Sequence, residues 1–225
     1  VSWDLRLESA DPVRLKAPDF LFPWQSPPAG ALVPPGTYSV QMHLVTAERV
    51  KTVGDQQEFA LKPVPTAPEG TDFNVATAFK REANDLLRLL LGAEKEIGRA
   101  RNRLKHLHAA VAKTAKADPA VFSQIADLLQ TLRQIDTQLT GDKVRGNQND
   151  AAPMSVRERV FWLVFGYRNT RQEPTTTQRR SFEIARGQFE TLLAELKQVV
   201  ENDLPQLEAE LAAAGAPWTP GRKLD

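Results

Sequence analysis

Acidic and histidine side chains are the first candidates for chemistry in this sequence, and their spacing argues against a catalytic site. Glu94 and Glu96 lie two residues apart on a predicted helix, so their carboxylates point in different directions. Hydrolysis of a glycosidic bond needs two carboxyl groups facing each other about 5 to 9.5 Å apart. His106 and His108 have the same spacing, which does not bring two imidazoles onto one metal ion. The sequence therefore predicts no catalytic residue, no metal site and no cofactor.

Motifs for nucleotide binding and nucleophilic catalysis are also absent from the sequence. It contains no Gly-Lys-Ser/Thr phosphate loop, no Gly-x-Gly-x-x-Gly and no Gly-x-Ser-x-Gly. It contains no cysteine, which excludes disulfides, thiolate metal ligands and cysteine nucleophiles but leaves the compartment open. These observations favour a chain that is not itself an enzyme.

Two groups of side chains remain as candidates for binding. Phe20, Phe22 and Trp24 share one parity in the proline-rich stretch 18–28 and could form a flat platform for sugar rings. Such a row more often belongs to a core or packs against a neighbouring domain. The run from Arg99 to His106 is the densest local positive charge, and a solvated helix face is the favoured interpretation. Because the net charge of the chain is only +1, we predict no nucleic-acid partner.

Length and composition describe an ordinary globular chain. A chain of 225 residues with 41% apolar residues is long enough for one or two domains. The densest apolar run, Val160–Phe165, is far shorter than the roughly 18 residues that would span a membrane. We therefore predict no membrane span.

The stretch 79–111 organises the second half of the chain. Ten apolar residues follow one another there at steps of four and three, which is the period of a helix seam. They are Phe79, Ala83, Leu86, Leu90, Ala93, Ile97, Ala100, Leu104, Leu107 and Val111. The helix is predicted to begin at a cap formed by Asp72 or Asn74 and to run to about Lys116. The seam stretch alone is roughly 50 Å long, and the helix cannot bury its own seam. Later helices are predicted to pack on it.

Three more helices are predicted after residue 116, separated by a polar loop at 142–153. Two are long and one is short, and each has recognisable start or stop signals. In chain order these are Asp118-Pro119 with Gly141, the capping box Ser155-Val156-Arg157-Glu158, and Thr175 or Thr176 with a kink at Pro205 and a stop at Gly215.

The first 66 residues have the alternation and punctuation of strands. Trp3, Leu5 and Leu7 alternate with polar residues, and Pro35-Gly36 predicts a turn that begins a strand at Tyr38. Gly54-Asp55 is interpreted as a break before the last strand, at residues 58–64. This gives four or five strands, whereas an immunoglobulin-like sandwich has about seven. The β unit is therefore expected to be incomplete, with its first strands upstream of Val1.

Together these patterns predict an α+β chain of two domains. A partial immunoglobulin-like β-sandwich occupies residues 1–66, and a proline-rich linker occupies residues 67–74. An antiparallel up-and-down helical bundle of three long helices and one short helix follows at 75–215, with a tail at 216–225.

The strand motifs carry a resemblance to a known family. Trp3-Asp4, followed by Val33-Pro34-Pro35-Gly36-Thr37-Tyr38, resembles the Trp-Asp-x-x and Val-x-x-Gly-x-Tyr pattern of the immunoglobulin-like domain of flagellar hook-capping proteins. Together with Gln57-Glu58-Phe59 and Glu173-Pro174-Thr175, these motifs follow an order similar to that in the C-terminal region of large bacterial proteins that carry a sortilin-like, BNR-repeat β-propeller. Those proteins are commonly labelled glycosyl hydrolases. The proline-rich insert 18–30 departs from the short hook-capping pattern.

The resemblance implies that any catalytic or ligand site belongs to the propeller, and no catalytic residue of the family maps onto this chain. It also implies export to the periplasm or beyond, which composition alone does not address. The leading hypothesis is a non-catalytic accessory module that supports or orients the propeller, or that binds another protein. Two alternatives stay open. One is a carbohydrate-binding unit that uses Phe20, Phe22 and Trp24 on a polysaccharide. The other is a coiled-coil domain whose seam pairs with a second chain.

Overall fold

The structure is a computed structural model that describes residues 2–13, 15, 29–64, 70 and 72–222. The described chain is mixed α+β, with a small antiparallel sheet and a larger helical part. The sheet consists of β1 (Gly36–Val45) and β2 (Val50–Leu61). The helices are α1 (Phe73–Val111), α2 (Ala120–Thr140), α3 (Lys143–Asn147), α4 (Val156–Tyr167), α5 (Thr176–Lys197) and α6 (Leu204–Ala213), with a π-helical segment (Gln198–Asp203) between α5 and α6.

Helix α1 is the long helix that the seam predicts. It has 39 residues, and Asp72 caps it by accepting hydrogen bonds from the backbone N–H groups of Asn74 and Val75. All ten seam residues are buried, none more than 6% exposed. The seam is therefore covered by the helices of this same chain. Helix α1 ends at Val111 rather than near residue 116. Just after this end, Thr114 Oγ1 donates to the Ala110 carbonyl at 2.7 Å.

Helices α2 and α4 both run antiparallel to α1 and cover successive parts of it. Asp136 of α2 pairs with Arg101 of α1 at 2.8 Å. Further along, Arg157 of α4 lies 3.3 Å from Glu94 of α1, and the Tyr167 ring packs edge-on against Phe79. As the chain passes through α2 and α4 it thus moves steadily towards the start of α1. The strictly alternating up-and-down bundle of three long helices and one short helix is not confirmed in that form.

Helices α5 and α6 return alongside α1, parallel to it. The Phe182 ring of α5 packs on Phe79 with centroids 5.6 Å apart, and Glu208 of α6 pairs with Arg103 at 2.7 Å. The predicted kink at Pro205 is replaced by the π-helical segment immediately before it. Proline cannot donate a backbone hydrogen bond, and a wider turn at this point is one way for a helix to accommodate it.

Most of the predicted helix boundaries are confirmed. Gly141 ends α2, and reciprocal capping boxes open α4 at Ser155 and α5 at Thr175. The loop 142–153 is not wholly irregular, because Asp142 caps the five-residue helix α3 within it. Residues 216–222 fold back onto the helices, and Thr219 is buried there.

The N-terminal segment forms a short antiparallel contact with residues 31–33. Arg6 and Leu32 form an isolated bridge, with Leu7 N–H donating to the Ala31 carbonyl at 2.9 Å. A side chain at Gly30 would lie 2.2 Å from the Leu7 carbonyl oxygen, so only glycine allows this approach. The predicted strand at Trp3, Leu5 and Leu7 is thus reduced to a single bridge.

The β part is simpler than the sequence predicts. The described residues contain two strands instead of four or five, and one sheet where a sandwich has two. The partial immunoglobulin-like sandwich is therefore not confirmed. Gly54 does not break the chain between strands, because β2 passes through it from Val50 to Leu61. The connection is instead the turn at residues 46–49, where Thr46 N–H donates to the Arg49 carbonyl at 2.9 Å.

Candidate interaction surface

The hairpin formed by β1 and β2 has one apolar face and one polar face. In the observed register Tyr38 lies opposite Phe59, and Met42 lies opposite Val53. Side chains of residues that lie opposite each other share a face, and alternate residues of a strand do the same. The apolar hairpin face therefore carries Tyr38, Val40, Met42 and Leu44 of β1 and Val53 and Phe59 of β2, with Gln57 and Lys51 of β2 among them. The opposite face carries the polar residues Thr37, Ser39, His43, Thr52 and Glu58, with the exposed pair Val45 and Val50 beside the turn.

This apolar hairpin face is open to solvent along most of its length. The exposed fractions are 56% for Val40, 63% for Met42, 56% for Leu44, 36% for Val53 and 38% for Phe59. An antiparallel sheet with one apolar and one polar face normally packs its apolar face on a core. Here the alternation of a half-buried sheet is present, but the described chain does not bury that face.

An aromatic cluster holds the base of the hairpin. The Trp3 ring lies 5.4 Å from the Tyr38 ring and 6.2 Å from the Phe59 ring, measured between centroids. Trp3 Nε1 donates to the Arg6 carbonyl at 3.0 Å, which ties the cluster to the N-terminal segment. Trp3 and Tyr38 belong to the two separate motifs of the hook-capping resemblance, and the fold brings their rings together.

The strands are irregular near their middle. The register shifts between Val40 and Met42, where β2 has two more residues than β1. Gln41 Nε2 donates to the Gly54 carbonyl at 3.1 Å across this irregularity. Bulges of this kind increase strand twist and bend a ribbon. They also leave backbone groups outside the regular ladder.

Below the hairpin, polar contacts join the N-terminal segment to the helices. Arg6 Nη1 donates to the Gly30 carbonyl at 3.1 Å, and Arg6 Nη2 donates to Asn169 Oδ1 at 3.0 Å. Asn84 Nδ2 of α1 donates to the Glu8 carbonyl at 3.2 Å. These bonds fix the root of the hairpin on α1 and on the residues that follow α4.

A buried lysine lies at the same junction. Lys80 is 6% exposed, its ammonium donates to the Thr170 carbonyl, and it lies 5.2 Å from the centre of the Tyr167 ring. Burial, followed by the nearby charges of Arg171 and Arg6, lowers the pKa of Lys80 from 10.5 to about 8. Burial also raises the pKa of the Tyr167 hydroxyl.

The pKa of Lys80 predicts a pH dependence of stability with a definite sign. Between about pH 8 and 10.5 the unfolded state binds more protons at Lys80 than the folded state, so the free energy of unfolding rises with pH. Urea denaturation at several pH values from 7.5 to 10 measures this rise. A Lys80→Met variant should lack it, whereas Lys105→Met, at an exposed position of the same helix, should retain it. Equal slopes for wild type and Lys80→Met would contradict the assignment.

The acidic and histidine candidates of the sequence do not form a joint site. Glu94 is half-buried beside Arg157, and burial raises the pKa of its carboxyl group. Glu96 instead pairs with Arg99 on the outer side of α1. His108 packs edge-on against Phe122 with centroids 5.0 Å apart, and His106 is exposed. No cluster of three or more histidine, cysteine or acidic residues suited to a metal occurs among the described residues.

The positive run at residues 99–106 is largely paired within the chain. Arg99 pairs with Glu96, Arg101 with Asp136 at 2.8 Å, and Arg103 with Glu208 at 2.7 Å. Arg101 and Arg103 thus connect α1 to other helices, which a sequence pattern does not show, whereas Arg99 pairs within α1. Phe20, Phe22 and Trp24 lie outside the described residues, so the proposed sugar platform stays a prediction. Among the described helices, none combines the length and apolar character that crossing a bilayer requires.

Comparison of this chain with protein-family models, with curated proteins and with solved structures finds no match.

Proposed function

We propose that this chain is a non-catalytic interaction module whose apolar hairpin face packs on a β-sheet of another domain. The exposed apolar face carries the proposal, because the alternation along β1 is the pattern of a strand in a sheet with one side buried. An isolated two-stranded hairpin is marginally stable at best in water. Packing of a second sheet against this face would supply the missing burial.

The contacts at the root of the hairpin support the same function. The rings of Trp3, Tyr38 and Phe59 join the hairpin to the N-terminal segment. That segment is bonded through Arg6 to Asn169 after α4 and through the Glu8 carbonyl to Asn84 of α1. The helices have a large core of their own, including the buried seam of α1. A rigid helical body with an apolar ribbon fixed to it is suited to orienting whatever the ribbon binds.

We further propose that the partner sheet belongs to an exported β-propeller of the sortilin-like, glycosyl-hydrolase-like kind, as the strand motifs imply. Support comes from the contact between Trp3 and Tyr38, which joins two motifs of the resemblance in one cluster. In this proposal the hairpin contributes strands to an immunoglobulin-like sandwich that other segments complete. Catalysis, if present, belongs to the propeller and not to this chain.

Amide hydrogen exchange tests the proposal. In the chain of 225 residues the amides of β1 and β2 should exchange rapidly, since few buried contacts hold the ribbon. In the natural protein that carries the propeller, the same amides should exchange at least roughly tenfold more slowly. Equal exchange of these amides in both proteins would reject the packing of a sheet on this face.

Paired variants locate the contact. Met42→Lys combined with Leu44→Lys places charges on the apolar hairpin face and should abolish the extra protection. His43→Lys places a lysine on the polar face of the same strand and should leave the extra protection unchanged.

Cross-linking identifies the partner. Lys51 lies opposite Leu44, so a lysine-directed cross-linker should join Lys51 to the propeller. Cross-links confined to the helices of this chain would contradict the propeller as partner.

A further inference from the structure

Helix α1 carries a second line of side chains on its solvent side. Asp85, Leu89, Gly92, Glu96 and Arg99 follow one another at steps of four, three, four and three, again the period of a helix seam. We call these five residues, with the adjacent Arg88, the outer stripe. Unlike the buried seam, it faces solvent, and Leu89 is 57% exposed.

An apolar groove runs beside the outer stripe, between α1 and the end of α5. Its volume is about 280 Å³. Apolar groups from both sides line it, and charged residues of both signs stand along it. The apolar residues are Leu89, Gly92, Ala93, Leu193, Leu196 and Val200, and the charged ones are Arg88, Glu96, Lys197 and Glu201. An apolar centre with a charged rim is the usual anatomy of a protein interface.

The charges of the outer stripe are arranged symmetrically about Gly92. Arg88 and Glu96 each lie four residues from it, and Asp85 and Arg99 each lie seven residues from it. Each of these two pairs contains one positive and one negative residue. Within each helix Arg88 pairs with Asp85 and Arg99 pairs with Glu96. If two α1 helices cross antiparallel at Gly92, Arg88 of one copy also faces Glu96 of the other, and Asp85 faces Arg99, so each ion pair meets the opposite ion pair. A parallel arrangement would instead set like charges against each other.

Gly92 itself fits a helix crossing better than it fits the isolated chain. A Cβ atom built on Gly92 meets no other atom of its chain within 4 Å, so internal packing does not require glycine. Glycine inside a helix costs about 1 kcal/mol relative to alanine. Its position at the centre of the charge pattern allows two backbones to approach closely.

We propose that a second copy of this chain docks antiparallel on the outer stripe, with Gly92 near the two-fold axis and Leu89 covered by the partner copy. Such an interface is isologous, because the same patch serves both copies. The hairpin takes no part in it, so this proposal and the proposed function fail independently.

Sedimentation velocity of the whole chain across micromolar concentrations tests the dimer. The wild type should pass from 25.0 kDa towards twice that mass as concentration rises. Arg88→Glu and Glu96→Arg should each weaken association by about tenfold or more, since like charges then meet across the axis. The double variant R88E/E96R should recover it, because both exchanged charges again face their opposites.

Matched controls keep the test decisive. Lys105→Glu makes the same change in charge as Arg88→Glu on a different side of α1 and should leave association unchanged. An equimolar mixture of the R88E and E96R variants should form a mixed dimer, although neither associates well alone. Circular dichroism verifies that each variant stays helical. A wild type that remains monomeric, or an R88E/E96R variant that stays as weak as its single variants, would overturn the antiparallel interface.

Discussion

An Arg103→Met variant is expected to lose about 3 to 5 kcal/mol of its free energy of unfolding, because it leaves a buried carboxylate without its partner. Arg103 Nε and Nη2 donate to the two carboxylate oxygens of Glu208 at 2.9 and 2.7 Å. Glu208 is 5% exposed, so water cannot replace these bonds. The contact also joins α6 to α1 far along the chain.

Urea denaturation of wild type, Arg103→Met and R103M/E208M separates the pair from its parts. The double variant should recover most of the loss, since two apolar side chains of similar length can fill the space that the ions leave. The slopes of the three denaturation curves should agree, which indicates that all three variants unfold the same structure. A loss under about 1 kcal/mol in the single variant would show that this pair behaves like an exposed one.

A Leu90→Ala variant is expected to lower the free energy of unfolding by about 3 to 5 kcal/mol, whereas Leu89→Ala should cost under about 1 kcal/mol. The two leucines are neighbours in one helix, but Leu90 is 0% exposed and Leu89 is 57% exposed. Leu90→Ala therefore removes buried methyl groups and leaves a cavity, while Leu89→Ala removes atoms already in contact with water.

The comparison of these leucines is made by denaturation at the lowest practical concentration, where self-association does not contribute to stability. Since both substitutions are leucine to alanine within the same helix, helix propensity cancels between them. Equal losses for the two variants would mean that the seam of α1 is not the side of the helix that carries the core.

The helical part could be predicted well because its signals are local. The seam from Phe79 to Val111 depends on a period that any segment of the sequence displays. Asp72, Ser155 and Thr175 cap helices through residues two or three positions away. Both kinds of signal lie within one or two helical turns, so neither depends on the rest of the fold.

The arrangement of the helices could not be read in the same way. Arg103 and Glu208 are 105 residues apart, and nothing in either local pattern connects them. The course of α4 depends on which part of α1 is still uncovered after α2 and the loop that follows it. The predicted number of strands was wrong for a related reason. Glycine at position 54 is typical of a turn, but in the fold Gly54 lies at an irregularity inside β2.

The candidate surface was only partly accessible to sequence reasoning. The alternation from Tyr38 to Leu44 correctly predicted a strand with one apolar face. It could not show that the described chain leaves this face open, because burial depends on every other element. The outer stripe of α1 was detectable from spacing alone, but its apolar content is low, so the stronger seam on the adjacent side of the helix concealed it.

The return of α5 and α6 alongside α1 also has a consequence for synthesis of the protein. α1 is complete when the ribosome has translated residue 111, but Glu208, which pairs with Arg103 near the end of α1, follows only 97 positions later. At a translation rate of about 5 to 20 residues per second, part of the seam stays uncovered for roughly 5 to 20 s. During that interval α2 and α4 are the first segments available to shield it. The order of helices in the gene thus sets the order in which the nascent core closes.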